Sequence, residues 1–167
     1  RLKSKGDYWV LDIKTGSLTQ LGKSLPASSL MFAKFSPDGK SVAYVSGSNI
    51  YVEDLATSQI KPMTTNGSVT LINGTFDWVY EEEFQIRDGF RFSSDGRSIA
   101  YWQIDTGGVP EFTIVNNTGS LYPKLTRFAY PKTGQQNPSC RIGVVDLNLT
   151  SPQASAIGLL PRDFIVR

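Results

Sequence analysis

Two stretches of this chain repeat one another almost residue for residue. Residues 35–44 read Phe-Ser-Pro-Asp-Gly-Lys-Ser-Val-Ala-Tyr, and residues 92–101 read Phe-Ser-Ser-Asp-Gly-Arg-Ser-Ile-Ala-Tyr. A ten-residue unit that returns 57 positions later is an internal repeat, and it restricts the fold to architectures built by stacking copies of one supersecondary unit. Each copy sets an Asp-Gly pair between two short β-prone runs, so each is predicted to be an antiparallel hairpin whose glycine supplies the positive φ of the turn.

A second element recurs as a short apolar run closed by Asp and an aliphatic residue: Trp9-Val10-Leu11-Asp12-Ile13, Tyr51-Val52-Glu53-Asp54-Leu55 and Gly143-Val144-Val145-Asp146-Leu147. Strands punctuated by turns, with a unit of about 40–50 residues, suit the four-stranded blades of a β-propeller. The predicted fold is therefore all-β: a partial β-propeller of about three four-stranded antiparallel blades, read as a single domain over 1–167. Three blades are fewer than the roughly four to eight that close a ring, so the chain is expected to be a fragment with exposed sheet edges. A small sandwich or an open meander is the rival architecture. The hairpin spacing exceeds the Asp12-to-Asp54 spacing by 15 residues, which predicts an insertion ahead of the second hairpin. A further long stretch after Thr106-Gly-Gly, with Tyr122-Pro123-Lys124 and Tyr130-Pro131-Lys132, is expected to be an excursion on the strands.

Composition narrows the chemistry. Seventeen Lys+Arg against fifteen Asp+Glu give +2, too even for a nucleic-acid-binding stripe. There is no histidine, which excludes Ser-His-Asp, Cys-His and histidine-based zinc chemistry from this chain, and there is no G-x-S-x-G. The Gly-Lys-Ser triplets at 22–24 and 39–41 have Ser17 and Lys34 where a phosphate-binding loop has its first glycine. No cofactor and no metal site are expected. Cys140 is the lone cysteine and reads as a small buried hydrophobe rather than a nucleophile. The start, RLKSKGDYWVL, has no signal-peptide core, so any export signal or anchor is expected outside the chain. Four Asn-x-Ser/Thr sequences, at Asn66, Asn73, Asn116 and Asn148, are read as turn formers, and Phe35, Phe92, Tyr44, Tyr101 and Trp102 as core.

One segment concentrates charge: Asp77-Trp78-Val79-Tyr80-Glu81-Glu82-Glu83-Phe84. It is predicted to be a short helical turn capped by Asp77, forming the insertion. Successive helical residues diverge by about 100°, so at most two of the three glutamates converge on one ligand. Paired carboxylates favour a cation between them, an ammonium, a guanidinium or a metal ion, and Trp78 and Tyr80 are candidates to wall such a site. A solvated acidic turn is the plain alternative. Glycoside hydrolysis fits poorly, because its two carboxyls face one another at about 5–9.5 Å across a sugar.

The run Asp77 to Glu83 resembles the double-glutamate motif of the dipeptidyl peptidase IV family, serine exopeptidases of the prolyl oligopeptidase clan that carry a β-propeller and an α/β-hydrolase domain. The resemblance continues in order through Ala100-Tyr101-Trp102, Val109-Pro110, Tyr122-Pro123-Lys124, Arg127, Tyr130-Pro131-Lys132, Gly134 and Asn137-Pro138. It implies that Glu82 and Glu83 hold the free N-terminal ammonium of a peptide, that Glu81 is structural, with Asp77, Trp78 and Tyr80 in support, and, more weakly, that Arg1 helps to hold a substrate carbonyl. It implies a parent enzyme that releases N-terminal dipeptides, X-Pro or X-Ala, whose catalytic α/β-hydrolase domain is absent from this chain, so that the chain alone should be inactive. A location outside the cytoplasm, secreted, periplasmic or membrane-anchored, follows from the same resemblance. Exposed blade edges make a homodimer a possible state. The competing function is a non-catalytic propeller scaffold for protein interaction.

Overall fold

The computed structural model of the protein describes residues 4–148 and the backbone of 155–156. Strands β1 (Trp9–Leu11) and β2 (Leu18–Gln20) form an antiparallel pair. A complete four-stranded antiparallel sheet follows, β3 (Met31–Phe35), β4 (Ser41–Ser46), β5 (Asn49–Asp54) and β6 (Ile60–Pro62), paired in sequence order, and this is blade two. The chain then runs through β7 (Leu71–Asn73), helix α1 (Trp78–Glu83), β8 (Phe90–Phe92), β9 (Ser98–Asp105), β10 (Glu111–Asn116), β11 (Lys124–Ala129), β12 (Ser139–Asp146) and β13 (Ser155–Ala156). Five of these strands build blade three in the order β13-β12-β9-β7, with β8 also on β9, while β10 and β11 pair only with each other. The architecture is the expected partial β-propeller, and among the described residues no sheet closes.

The repeated decapeptide forms the same turn twice. Gly39 and Gly96 both take φ of 71°. Ser36 and Ser93 each donate the hydroxyl to the aspartate two residues on, at 2.7 and 2.6 Å, and each accepts the backbone N–H of Ser41 or Ser98 at 3.0 Å. The Asp-closed element also has one physical meaning: the Asp12 carboxylate accepts from Lys14 N and Thr15 N, and that of Asp54 from Ala56 N and Thr57 N, turning the chain into the next strand.

Strand β4 lies between two apolar layers, which is why it lacks polar alternation. Val42 and Tyr44 pack with Leu21 and Leu30 on the side of the β1–β2 pair. Ala43 and Val45 face Ile50, Phe90, Ile99, Tyr101 and Val145, making a core between blades two and three. Buried Glu53 ties the first layer together, accepting from the Tyr44 hydroxyl at 2.9 Å and from Gly22 N at 2.8 Å. Burial and that carboxylate push the Tyr44 phenol strongly up. Phe35 departs from the core reading and is 57% exposed. It ends the edge strand β3 opposite Val42, facing the two-stranded β1–β2 pair, which is too small to cover it.

The expected insertion interrupts the first strand of blade three. β7 pairs with Gln103–Asp105 and β8 with Ile99–Tyr101, so the two are one strand position broken at Trp102. Trp102 closes the break with its own backbone: its carbonyl accepts from Gly74 N and its N–H donates to Gly89 O, both at 2.9 Å. Residues 74–89 leave and return through that gap.

Candidate functional site

Helix α1 occupies the middle of this excursion and is only six residues long. A helix so short is not stable through its own hydrogen bonds, so its ends and one face must be held from outside. Asp77 caps the start, its carboxylate accepting from Val79 N and Tyr80 N at 3.3 Å each. At the other end Phe84 N and Ile86 N both donate to Tyr80 O at 3.2 Å, and Gln85 takes a left-handed φ of 57° that stops the helix.

The helical twist separates the three glutamates. Glu81 points inward, its side chain 4% exposed, and pairs with Arg87 on the return leg at 2.9 Å. Glu82 and Glu83 are exposed, and among the described residues neither makes an ion pair. Adjacent carboxylates left without a cation raise their mutual electrostatic cost, and an ammonium between them relieves it.

Aromatic rings seat the helix. Tyr80 stacks on Phe76 at 5.3 Å and meets Phe84 at 5.5 Å, and Phe76 continues to Trp102 at 5.9 Å. Trp78 packs on Tyr130, 4.3 Å between ring centres, at the foot of the β10–β11 ribbon. Burial, and then the neighbouring Cys140 thiol, push the Tyr80 phenol up to about 12. Burial likewise raises the Cys140 thiol, so this cysteine is a half-buried, protonated group rather than a nucleophile.

Both legs of the excursion are tied to blade two. On the outgoing leg, fully buried Asn73 sends its backbone N–H and its side-chain amide to Ser48 O at 3.1 and 3.0 Å, and accepts from Gln103 Nε2 at 2.8 Å. Asn73 is therefore a buried polar knot as well as the residue before a turn. Asn116, by contrast, is exposed and forms the expected turn by accepting from Thr118 N and Gly119 N. On the return leg, Asp88 pairs with Lys34 of β3 at 2.5 Å and with Arg91 at 2.9 Å. The Lys34 ammonium sits 3.8 Å from the centre of the Phe90 ring, and its burial lowers its pKa against the opposing pull of Asp88.

The structure thus puts Asp77, Trp78, Tyr80 and Glu81 beneath the helix and leaves Glu82 and Glu83 on its open side. Arg1 lies outside the described residues. Arg87 and Asp88 escaped the sequence reading, which gave Lys34, Asn73 and Tyr130 no part in this site. Arg87 had a faint signal, an arginine shortly after an acidic helix. Lys34, 54 positions from Asp88, had none.

Comparisons with known proteins agree with the family resemblance and with the fold. The family described as "Dipeptidyl peptidase IV (DPP IV) N-terminal region" matches residues 1–163. Dipeptidyl peptidase 4 of Trichophyton tonsurans is 38% identical over 157 residues, covering 90% of this chain and 20% of that protein. The probable dipeptidyl-aminopeptidase B of Uncinocarpus reesii is 30% identical over 153 residues, 85% of this chain and 17% of that protein. The crystal structure of Porphyromonas gingivalis dipeptidyl peptidase 4 superposes with a TM-score of 0.82 at 27% identity, over 91% of this chain and 21% of that one. The chain therefore spans about a fifth of the length of these relatives.

Proposed function

Because this chain belongs to the dipeptidyl peptidase IV N-terminal region family, we propose that it is the substrate-recognition portion of a serine dipeptidyl aminopeptidase, in which Glu82 and Glu83 bind the free N-terminal ammonium of a peptide. The chain is then one domain over 1–167, and the α/β-hydrolase domain with the Ser-His-Asp triad belongs to the same polypeptide beyond it. The parent works outside the cytoplasm, secreted, periplasmic or anchored to a membrane. Its substrates are peptides with X-Pro or X-Ala at the amino terminus.

The observation that carries this reading is the division of the three glutamates: Glu81 is buried and paired with Arg87, whereas Glu82 and Glu83 are exposed on a helix seated from below. A solvated acidic turn has no need of a buried first member or of a packed aromatic base. An ammonium fixed at one end acts as a ruler, placing the second peptide bond at the nucleophile and rejecting blocked termini, which leave two carboxylates without a partner. Self-association is part of the proposal, supported by the exposed apolar side chains Phe112, Ile114, Val115 and Leu125 on the ribbon.

The test is hydrolysis of Ala-Pro and N-acetyl-Ala-Pro chromogenic amides by the full-length parent. Only the free amine should be cleaved, and Glu82→Gln or Glu83→Gln should each lower kcat/KM by about 100-fold or more. Equal cleavage of both substrates, or full activity in both variants, would leave the scaffold function in its place.

A further inference from the structure

We infer that the adjacent pair Arg87 and Asp88 is the positioning device of the amine anchor, Arg87 holding the helix through Glu81 while Asp88 fixes the return leg to the neighbouring blade through Lys34. This rests on the role proposed above for Glu82 and Glu83. An anchor that measures a peptide from its terminus must hold its carboxylates within about 0.5 Å, and six helical residues on a loop do not do so unaided. Two successive side chains on the return leg supply the missing reference. Arg87 turns back to the buried Glu81 carboxylate at 2.9 Å, which also neutralises the one glutamate of the three that would otherwise repel its neighbours from beneath. Asp88 turns the other way to Lys34, whose ammonium is held in addition by Phe32 O at 3.2 Å and by the Phe90 ring.

The partner strand is shaped for this contact. β3 carries a register shift between Met31 and Lys34, with Phe32 in the left-handed region at φ 57°. Beyond that bulge Lys34 pairs with Ala43, whose side chain faces blade three, so Lys34 shares that face and reaches Asp88. Non-glycine residues hold such a conformation only where the surroundings demand it. With Asn73 bonded to Ser48 at the start of the outgoing leg, both ends of the excursion are referenced to blade two, although the helix belongs to blade three.

The experiment is steady-state hydrolysis of Ala-Pro-p-nitroanilide by the full-length parent carrying Asp88→Asn, Lys34→Met, both together, Arg87→Gln or Arg87→Lys. Thermal unfolding is followed in parallel, and Glu82→Gln runs in the same assay. Each of Asp88→Asn, Lys34→Met and Arg87→Gln should raise KM about 10-fold, with kcat within about twofold. The double variant should be no worse than the worse single, because the two side chains act through one contact, and Arg87→Lys should recover part of the loss. If Asp88→Asn does not fold, Lys34→Met reads the same tie. Wild-type KM in Lys34→Met and Arg87→Gln while Glu82→Gln is impaired would overturn this inference and leave the amine anchor intact. Losses confined to kcat, or additive losses in the double variant, would overturn it equally. Wild-type behaviour of Glu82→Gln would remove the anchor itself and the inference with it.

Discussion

Blade three sends out two excursions, and they are held in opposite ways. The first, residues 74–89, leaves through a one-residue gap at Trp102, is bonded to blade two on both legs and has a buried carboxylate and stacked rings under its helix. The second, the β10–β11 ribbon, pairs with itself over six residues per strand; its residues are exposed except for Phe128 and Ala129 near the foot. At its foot Tyr130 packs on Trp78, so the ribbon meets the helix there. The contrast shows how one sheet serves two purposes. Side chains that must aim are fixed to a neighbouring blade, whereas a surface that only needs to be presented is left to its own hairpin hydrogen bonds.

Substitution of one glycine from each excursion should break that contrast most visibly. At Gly74 a Cβ would lie 2.8 Å from Ile50 Cγ1 and 2.9 Å from Val45 Cγ2, on a backbone with φ of 75°. Gly74→Ala should therefore cost about 1–2 kcal/mol for the left-handed backbone and about 1–3 kcal/mol more for overpacking. Gly134, just beyond the ribbon, has φ of 81° and open space around it, so Gly134→Ala should cost only the backbone part. Urea unfolding of the two variants measures the difference, and equal losses would mean that the packing of Ile50 and Val45 against Gly74 relaxes freely.

The junction between the excursions is the next test. A double-mutant cycle on Trp78→Phe and Tyr130→Leu should show coupling of about 0.5–1.5 kcal/mol, the range for aromatic pairs. Zero coupling would make the ribbon independent of the helix. The smallest effect concerns the turns beneath. Asp38 and Asp95 both have pKa values below the ordinary 3.8, through the hydrogen bond from Ser36 or Ser93 and then a backbone N–H. With the folded pKa depressed, each turn's contribution is present above the unfolded value and is lost as pH falls through the folded one. Carboxyl titration by NMR should give both midpoints below 3.8 and close to each other. Separated midpoints would mean that the excursion distorts the second copy.

Much of this was legible in the residues. The repeated decapeptide carried its hairpin because Ser, Asp and Gly at those spacings satisfy the turn's hydrogen bonds locally. Asp77 announced the helix start for the same reason, and the surplus of 15 residues announced the excursion. Phe35 misled, because whether an apolar residue is covered depends on the size of the neighbouring sheet and not on the strand that holds it.

What the sequence determined by itself is whatever closes within a few residues: the turns, the cap, the blade repeat and the angular spread that lets only two of three glutamates share a ligand. Tertiary structure alone decided which glutamate is buried and what holds the helix in place. Glu81 finds Arg87 only because the chain doubles back, and Asp88 finds Lys34 only because two blades pack side by side. Such contacts depend on distances between separate sheets, and no periodicity along the chain encodes them.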